Sequence, residues 1–106
     1  MSRAEWALKE PVQGHEGPVR RASLRKPTGA EYFRLGDPVV YVRNQDGSLY
    51  PVENMDAIRG DLDVCMESPK PELRAQLGLA DSIRAREELL GFFDNARMTW
   101  MSPATS

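Results

Sequence analysis

The chain has 106 residues, 41% hydrophobic and 28% charged, which suits one small globular domain with a single modest core and excludes wholesale disorder. Fourteen Lys+Arg against sixteen Asp+Glu leave a formal charge of −2, so no overall field exists to hold nucleic acid or an anionic membrane. The lone Cys65 excludes an internal disulfide; with neither a signal peptide nor a long apolar run, the reading is a protein of a reducing cytoplasm, with no membrane span.

Residues 1–4 are expected to fray. Trp6 and Leu8 then alternate with Ala7 and Lys9 as a half-buried strand does, and Pro11 marks its end or an edge position. Residues 13–18 have the composition of a turn, after which Ala22 and Leu24 face one way and Arg21, Ser23 and Arg25 the other. A two-stranded hairpin is marginal in water, so its apolar side requires cover. The nearest candidate is the helix opening at Thr28, which carries Tyr32, Phe33 and Leu35. Thr28 and Glu31 stand three apart, as a capping box requires, while Gly36 and then Asp37-Pro38 end that helix.

Residues 39–42 are β-branched and aromatic, and Asp46-Gly47 separates them from a second such run at 48–52, predicting a second short hairpin over 39–52. Asn54 caps a helix whose apolar positions Met55, Ile58, Leu62, Cys65 and Met66 recur at three- and four-residue steps; Gly60 weakens it by roughly 1 kcal/mol relative to alanine. Ser68-Pro69-Lys70-Pro71 ends it, and Pro71 opens a short successor with Leu73 and Leu77 that Gly78 stops. Asp81 reads as the N-cap of a last helix over 82–94. That helix sets Ile83, Leu90 and Phe93 on one stripe with Leu89 and Phe92 beside it, and turns Arg84, Arg86, Glu87 and Glu88 outward. The expected architecture is therefore α+β: an N-terminal hairpin on a small bundle of short helices in one domain over 1–95, followed by a flexible tail over 96–106.

Catalytic chemistry finds no foothold. His15 and Cys65 are the sole histidine and cysteine and lie far apart, so no metal-ligand spacing exists, and no glycine run matches a phosphate-binding loop. Cys65 falls on an apolar helix face with no base nearby and reads as core. Asp61, Asp63 and Glu67 are the nearest approach to an acid–base or Mg²⁺ cluster; on a helix Asp63 and Glu67 share a face, which is also what a solvated helix shows. No catalytic, cofactor-binding or metal residue is predicted, and the expectation is a protein that is not an enzyme. Binding candidates remain. Arg20, Arg21, Arg25 and Lys26 form a local basic patch that suits a phosphate or acidic partner, or equally a charged strand edge that resists aggregation. Phe92, Phe93, Met98, Trp100 and Met101 form an apolar group at the C-terminal end that either captures a partner or folds back on the last helix.

These landmarks, taken in order, resemble the phage tail assembly chaperone family of Mu-like and other contractile-tailed phages and prophages. The likeness spans about residues 6–93. It is carried by Trp6-Ala7-Leu8-Lys9-Glu10-Pro11-Val12, by Ala22-Ser23-Leu24-Arg25-Lys26-Pro27-Thr28 entering a helix, and by Leu77, Asp81 and Gly91-Phe92-Phe93. The chain departs from the family where 39–52 reads as a distinct hairpin rather than loop and helix. The resemblance implies a non-enzymatic protein without cofactors, made in the cytoplasm of the infected bacterium and absent from the mature virion. Its implied partner is the tape measure protein, kept soluble until tail tube protein polymerises around it; self-association is also compatible, and neither nucleic acid nor membrane is implied. Such genes often yield a longer frameshifted product as well. The rival readings are a small DNA-binding or regulatory protein using the basic patch, and a minor structural tail protein.

Overall fold

A computed structural model describes residues 3–101, and within them the chain is α+β. The first hairpin pairs β1 (Arg3–Gly14) antiparallel with β2 (Gly17–Arg25), turning at His15 and Glu16, with Trp6 opposite Ala22 and Ala4 opposite Leu24. Arg3 and Ala4 belong to the strand instead of fraying; residues 1 and 2 lie outside the described residues. Pro11 does not end β1. The register shifts between Ala7 and Val12, and a proline is tolerated in such a bulged stretch because no ladder bond is asked of its nitrogen. The pleat sends Trp6, Leu8, Val12, Ala22 and Leu24 to one buried face.

The cover for that face comes from α2 (Met55–Cys65) and α3 (Leu79–Met101), and not from α1 (Gly29–Leu35) as expected. Ile58 and Cys65 of α2, Ala85, Leu89 and Phe93 of α3, and Met66 complete the core. No side chain of α1 is buried: seven residues make two turns, and adjacent Tyr32 and Phe33 project about 100° apart, so they cannot share one buried stripe. The cap geometry of α1 is as predicted. Thr28 Oγ1 accepts from the Glu31 N–H at 3.2 Å, Glu31 Oε1 accepts from the Thr28 N–H at 2.9 Å, and Gly36 ends the helix at φ +90°. Leu35 packs where a Cβ on Gly60 would stand, its Cδ2 3.1 Å from that point, so the glycine that weakens α2 also admits α1.

Helix α2, capped by Asn54 on the Ala57 N–H, ends at Cys65. Met66 and Glu67 then leave it for a third strand, β5 (Met66–Ser68), which pairs antiparallel with β2. Asp63 and Glu67 therefore do not share a helix face. Asp63 pairs with Arg74 at 2.9 Å, and Glu67 accepts from the Nε and Nη2 of Arg3 from across the sheet. A 3-10 helix follows over Pro71–Gln76, with Pro71 in its first turn as predicted.

Three expectations for the last helix are corrected. Asp81 is not its N-cap but sits inside the first turn, buried, its carboxylate accepting from the Lys9 N–H at 2.9 Å and the Glu10 N–H at 3.0 Å in the bulged part of β1. The helix also runs past Asp94, so residues 96–101 are helical and not a flexible tail; residues 102–106 lie outside the described residues. No glycine or proline interrupts 95–101, and Arg97 ties this last stretch to Asp37 and Asp94. The inward stripe is Asp81, Ala85, Leu89 and Phe93, four residues apart; Ile83 is 46% exposed, off the expected stripe, and Leu90 and Phe92 are half-buried.

The predicted second hairpin is present as β3 (Val39–Arg43) and β4 (Leu49–Glu53), joined through Asp46-Gly47 with Gly47 at φ +89°. It forms a separate two-stranded sheet.

Candidate functional site

The C-terminal half of α3 and the start of α1 do not close on one another. Between them lies an open groove of about 630 Å³, floored by Phe93 and walled by Tyr32, Phe33, Phe92 and Trp100, with Lys26 and Arg97 at its rim. A second hollow of about 390 Å³ adjoins it, sharing Lys26, Phe92, Ala96 and Trp100 and adding Asn95 and Thr99, so the depression extends around the same stretch of the helix. Phe33 and Trp100 are each 86% exposed, a large apolar area to leave in water. Tyr32 stands edge-on to Phe33 with centroids 5.4 Å apart and lies 6.1 Å from the ring of Phe93, so the aromatics form one continuous lining.

Charge holds the groove walls in place. Asp37 accepts from the Tyr32 hydroxyl at 3.2 Å, the Val39 N–H at 2.9 Å, and the Arg97 guanidinium, so one carboxylate ties the end of α1 to α3. The Asp37 charge, its hydrogen bond and burial together raise the Tyr32 hydroxyl above the usual tyrosine range. Arg97 lies 5.9 Å from the Phe93 ring centroid. At the other wall, Arg25 makes a two-pronged bond to Glu31, at 2.9 and 2.7 Å. That bond, with the Thr28 N–H, pulls the Glu31 pKa down to about 2 and raises that of Arg25.

A scan of protein-family models, a search of curated proteins and a search of solved structures each found no match to this chain. The groove is therefore interpreted from its own chemistry.

Of the binding residues singled out in the sequence, the groove gathers Lys26, Phe92, Phe93 and Trp100. Arg21, Met98 and Met101 are exposed outside it, and Arg25 is committed to Glu31, which divides the basic patch. Sequence reasoning missed Tyr32 and Phe33 as lining because it assigned α1 to the core, and Arg97 because it placed 96–106 in a flexible tail; the adjacency of Tyr32 and Phe33 on so short a helix was the signal that one must face away. No described helix is long and apolar enough to cross a membrane.

Reactive groups lie elsewhere. Among the described residues no three His, Cys, Asp or Glu side chains gather as a metal-holding group. Cys65 is fully buried, and burial pushes its thiol up to about 11, with the Glu31 and Asp61 carboxylates adding to the effect. Asp61 is also fully buried, and neither carboxylate oxygen has a hydrogen-bond partner among the described residues. Burial, reinforced by the charges of Glu31 and Asp37, lifts its pKa to about 6.

Proposed function

We propose that this protein is a non-enzymatic holding module, a tail assembly chaperone whose groove takes an apolar helical segment of a tape measure protein and keeps it soluble until tail tube subunits surround it. The observation that carries this reading is the extended aromatic groove with Phe33 and Trp100 standing out of its walls. An amphipathic helix places anchors at i, i+3 or i+4, and i+7, and such anchors match a trough that runs from the start of α1 along α3 between Phe92 and Trp100. Exposed Lys26 at the rim favours a carboxylate beside the occupant's apolar stripe. The sequence resemblance supplies the identity of the partner, and with it the site of action: the cytoplasm of an infected bacterium, with departure before the particle is complete.

Co-expression with a tape measure protein tests the reading. The expected result is that the partner becomes soluble and co-purifies, and that the double variant Phe33→Ala, Trp100→Ala abolishes co-purification while its circular dichroism and Tm match the parent. Retention of the partner by that variant overturns the groove as the site. The DNA-binding alternative predicts instead an affinity that falls steeply with added salt. Recovery of the chain from purified particles by mass spectrometry favours the structural alternative.

A further inference from the structure

Two hydrogen bonds at the ends of the second hairpin fix which way each of its backbone groups points. The Asn44 N–H donates to the Ser48 carbonyl at the turn, and the Asn54 N–H donates to the Pro38 carbonyl at the open end. Val40 stands opposite Val52, and Val42 opposite Tyr50. Antiparallel ladders alternate bonded and non-bonded pairs, so both of these are bonded pairs. The backbone groups of Val39, Tyr41 and Arg43 on β3, and of Leu49, Pro51 and Glu53 on β4, therefore face outward along the two edges.

The edges differ. Pro51 brings no N–H and stands at the centre of the β4 edge, which denies an incoming strand its middle bond. On β3 the Val39 N–H is taken by Asp37 Oδ1 at 2.9 Å, but no third strand lies along Tyr41 and Arg43. Elsewhere among the described residues, parts of the other strand edges are occupied by side chains or cut short. Asp81 occupies the Lys9 and Glu10 N–H groups of β1, and Gln76 that of Gln13 at 3.3 Å. Strand β5 is three residues long, its Met66 carbonyl accepts from Arg74, and Pro69 follows it. The open β3 edge borders an apolar ribbon: Val40, Val42, Tyr50 and Val52 share one face and are 38–48% exposed.

We infer that β3 pairs with β3 of a second copy of this chain, antiparallel about a two-fold axis at Tyr41, making one four-stranded sheet. An arriving strand must bring an open edge of its own, and each copy of the chain supplies one. In this register Val40 lies directly against the partner's Val42, a β-branched pair of the kind that stabilises neighbouring strands, and the relation repeats across the axis. The Arg43 N–H meets the carbonyl of the partner's Val39, whose own N–H is already satisfied within its subunit. Both outer strands of the resulting sheet are β4, each closed by Pro51, so growth stops at two copies. The pairing lies on the second hairpin and does not depend on what the groove binds.

The test is the molar mass of the full chain in solution, by light scattering over a dilution series, for the parent and three variants. The parent is expected at twice the chain mass at high concentration. Tyr41→Lys sets two like charges face to face on the axis, and Tyr41→Pro removes an N–H that points away from β4 and so breaks no bond within the hairpin; both are expected as monomers with unchanged circular dichroism. Pro51→Val restores the missing donor, and species larger than the dimer are expected. A parent that stays monomeric up to its solubility limit overturns the inference, as does a Tyr41→Lys variant that dimerises like the parent. A Pro51→Val variant that stops at two copies overturns the role given to Pro51.

Discussion

Both hairpins turn on glycine, and they differ in what lies against their faces. Strands β1 and β2 run for 12 and 9 residues and bury Trp6, Leu8, Val12, Ala22 and Leu24 under α2 and α3. Strands β3 and β4 run for five residues each, and none of their side chains is buried. Turn chemistry specifies which residues pair, whereas the stability of the pairing comes from whatever covers it. Removing a fully buried side chain forfeits its transfer free energy and leaves a cavity; an exposed cross-strand pair is worth only about 0.2–1 kcal/mol. The edges are closed by different means as well. The long hairpin borrows side chains from distant parts of the chain, Asp81 and Gln76, while the short one carries its own proline on one side and, on the other, only the bond from the Val39 N–H to nearby Asp37.

The sharpest way to break this contrast is in the core beneath the first hairpin. Leu89→Ala, which empties a fully buried position, is expected to lower the unfolding free energy by about 2–5 kcal/mol, read by urea titration. Next in size is Asp81→Ala, which leaves the N–H groups of Lys9 and Glu10 without their acceptor. A loss of about 2–4 kcal/mol is expected, with Asp81→Asn recovering part of it through its single amide oxygen. A smaller, pH-dependent effect comes from Asp61. With its folded pKa lifted to about 6, the unfolded chain gives up the proton first, so stability is full below about pH 4, falls as pH climbs to 6, and stays lower above it by roughly 2–3 kcal/mol. Asp61→Asn is expected to flatten the pH dependence of Tm between pH 4 and 7. The smallest effect belongs to the second hairpin, where Leu49→Thr, at a position 56% exposed, is expected to change stability by under about 0.5 kcal/mol in dilute solution. A loss there as large as that of Leu89→Ala would mean that the hairpin face bearing Leu49, opposite the valine ribbon, is covered.

What the sequence discloses follows the range over which each interaction acts. The capping box at Thr28 and Glu31, the turn at Asp46-Gly47, the Asn54 cap and Pro71 at the start of its helix are local devices, settled within four or five residues, and the structure has each of them. The α+β class follows from them. Three features were not legible for the complementary reason. Strand β5 is three residues long and takes its extended form from β2, more than forty positions earlier. Asp81 carries the composition of an N-cap and is redirected by two N–H groups seventy positions away. Trp100 and its neighbours look like a fading tail until Arg97 is seen to be tied to Asp37. Half of the groove was visible as apolar residues near the C-terminus; the other half, Tyr32 and Phe33, was hidden because sequence does not say which face of a two-turn helix is left over.

Glu31 carries a consequence for how the groove comes into being. Its Oε1 accepts at once from the Thr28 N–H and from Arg25, so the atom that starts α1 is the atom that fastens it to the sheet. A seven-residue helix does not persist in water, since its nucleation cost is spread over too few bonds. Coil-to-helix conversion and attachment are thereby coupled, and the wall bearing Tyr32 and Phe33 is held by Arg25 at its start and through Asp37 at its end. The arginine that reads in sequence as a hand extended to an outside partner is a latch on a wall of the molecule's own groove.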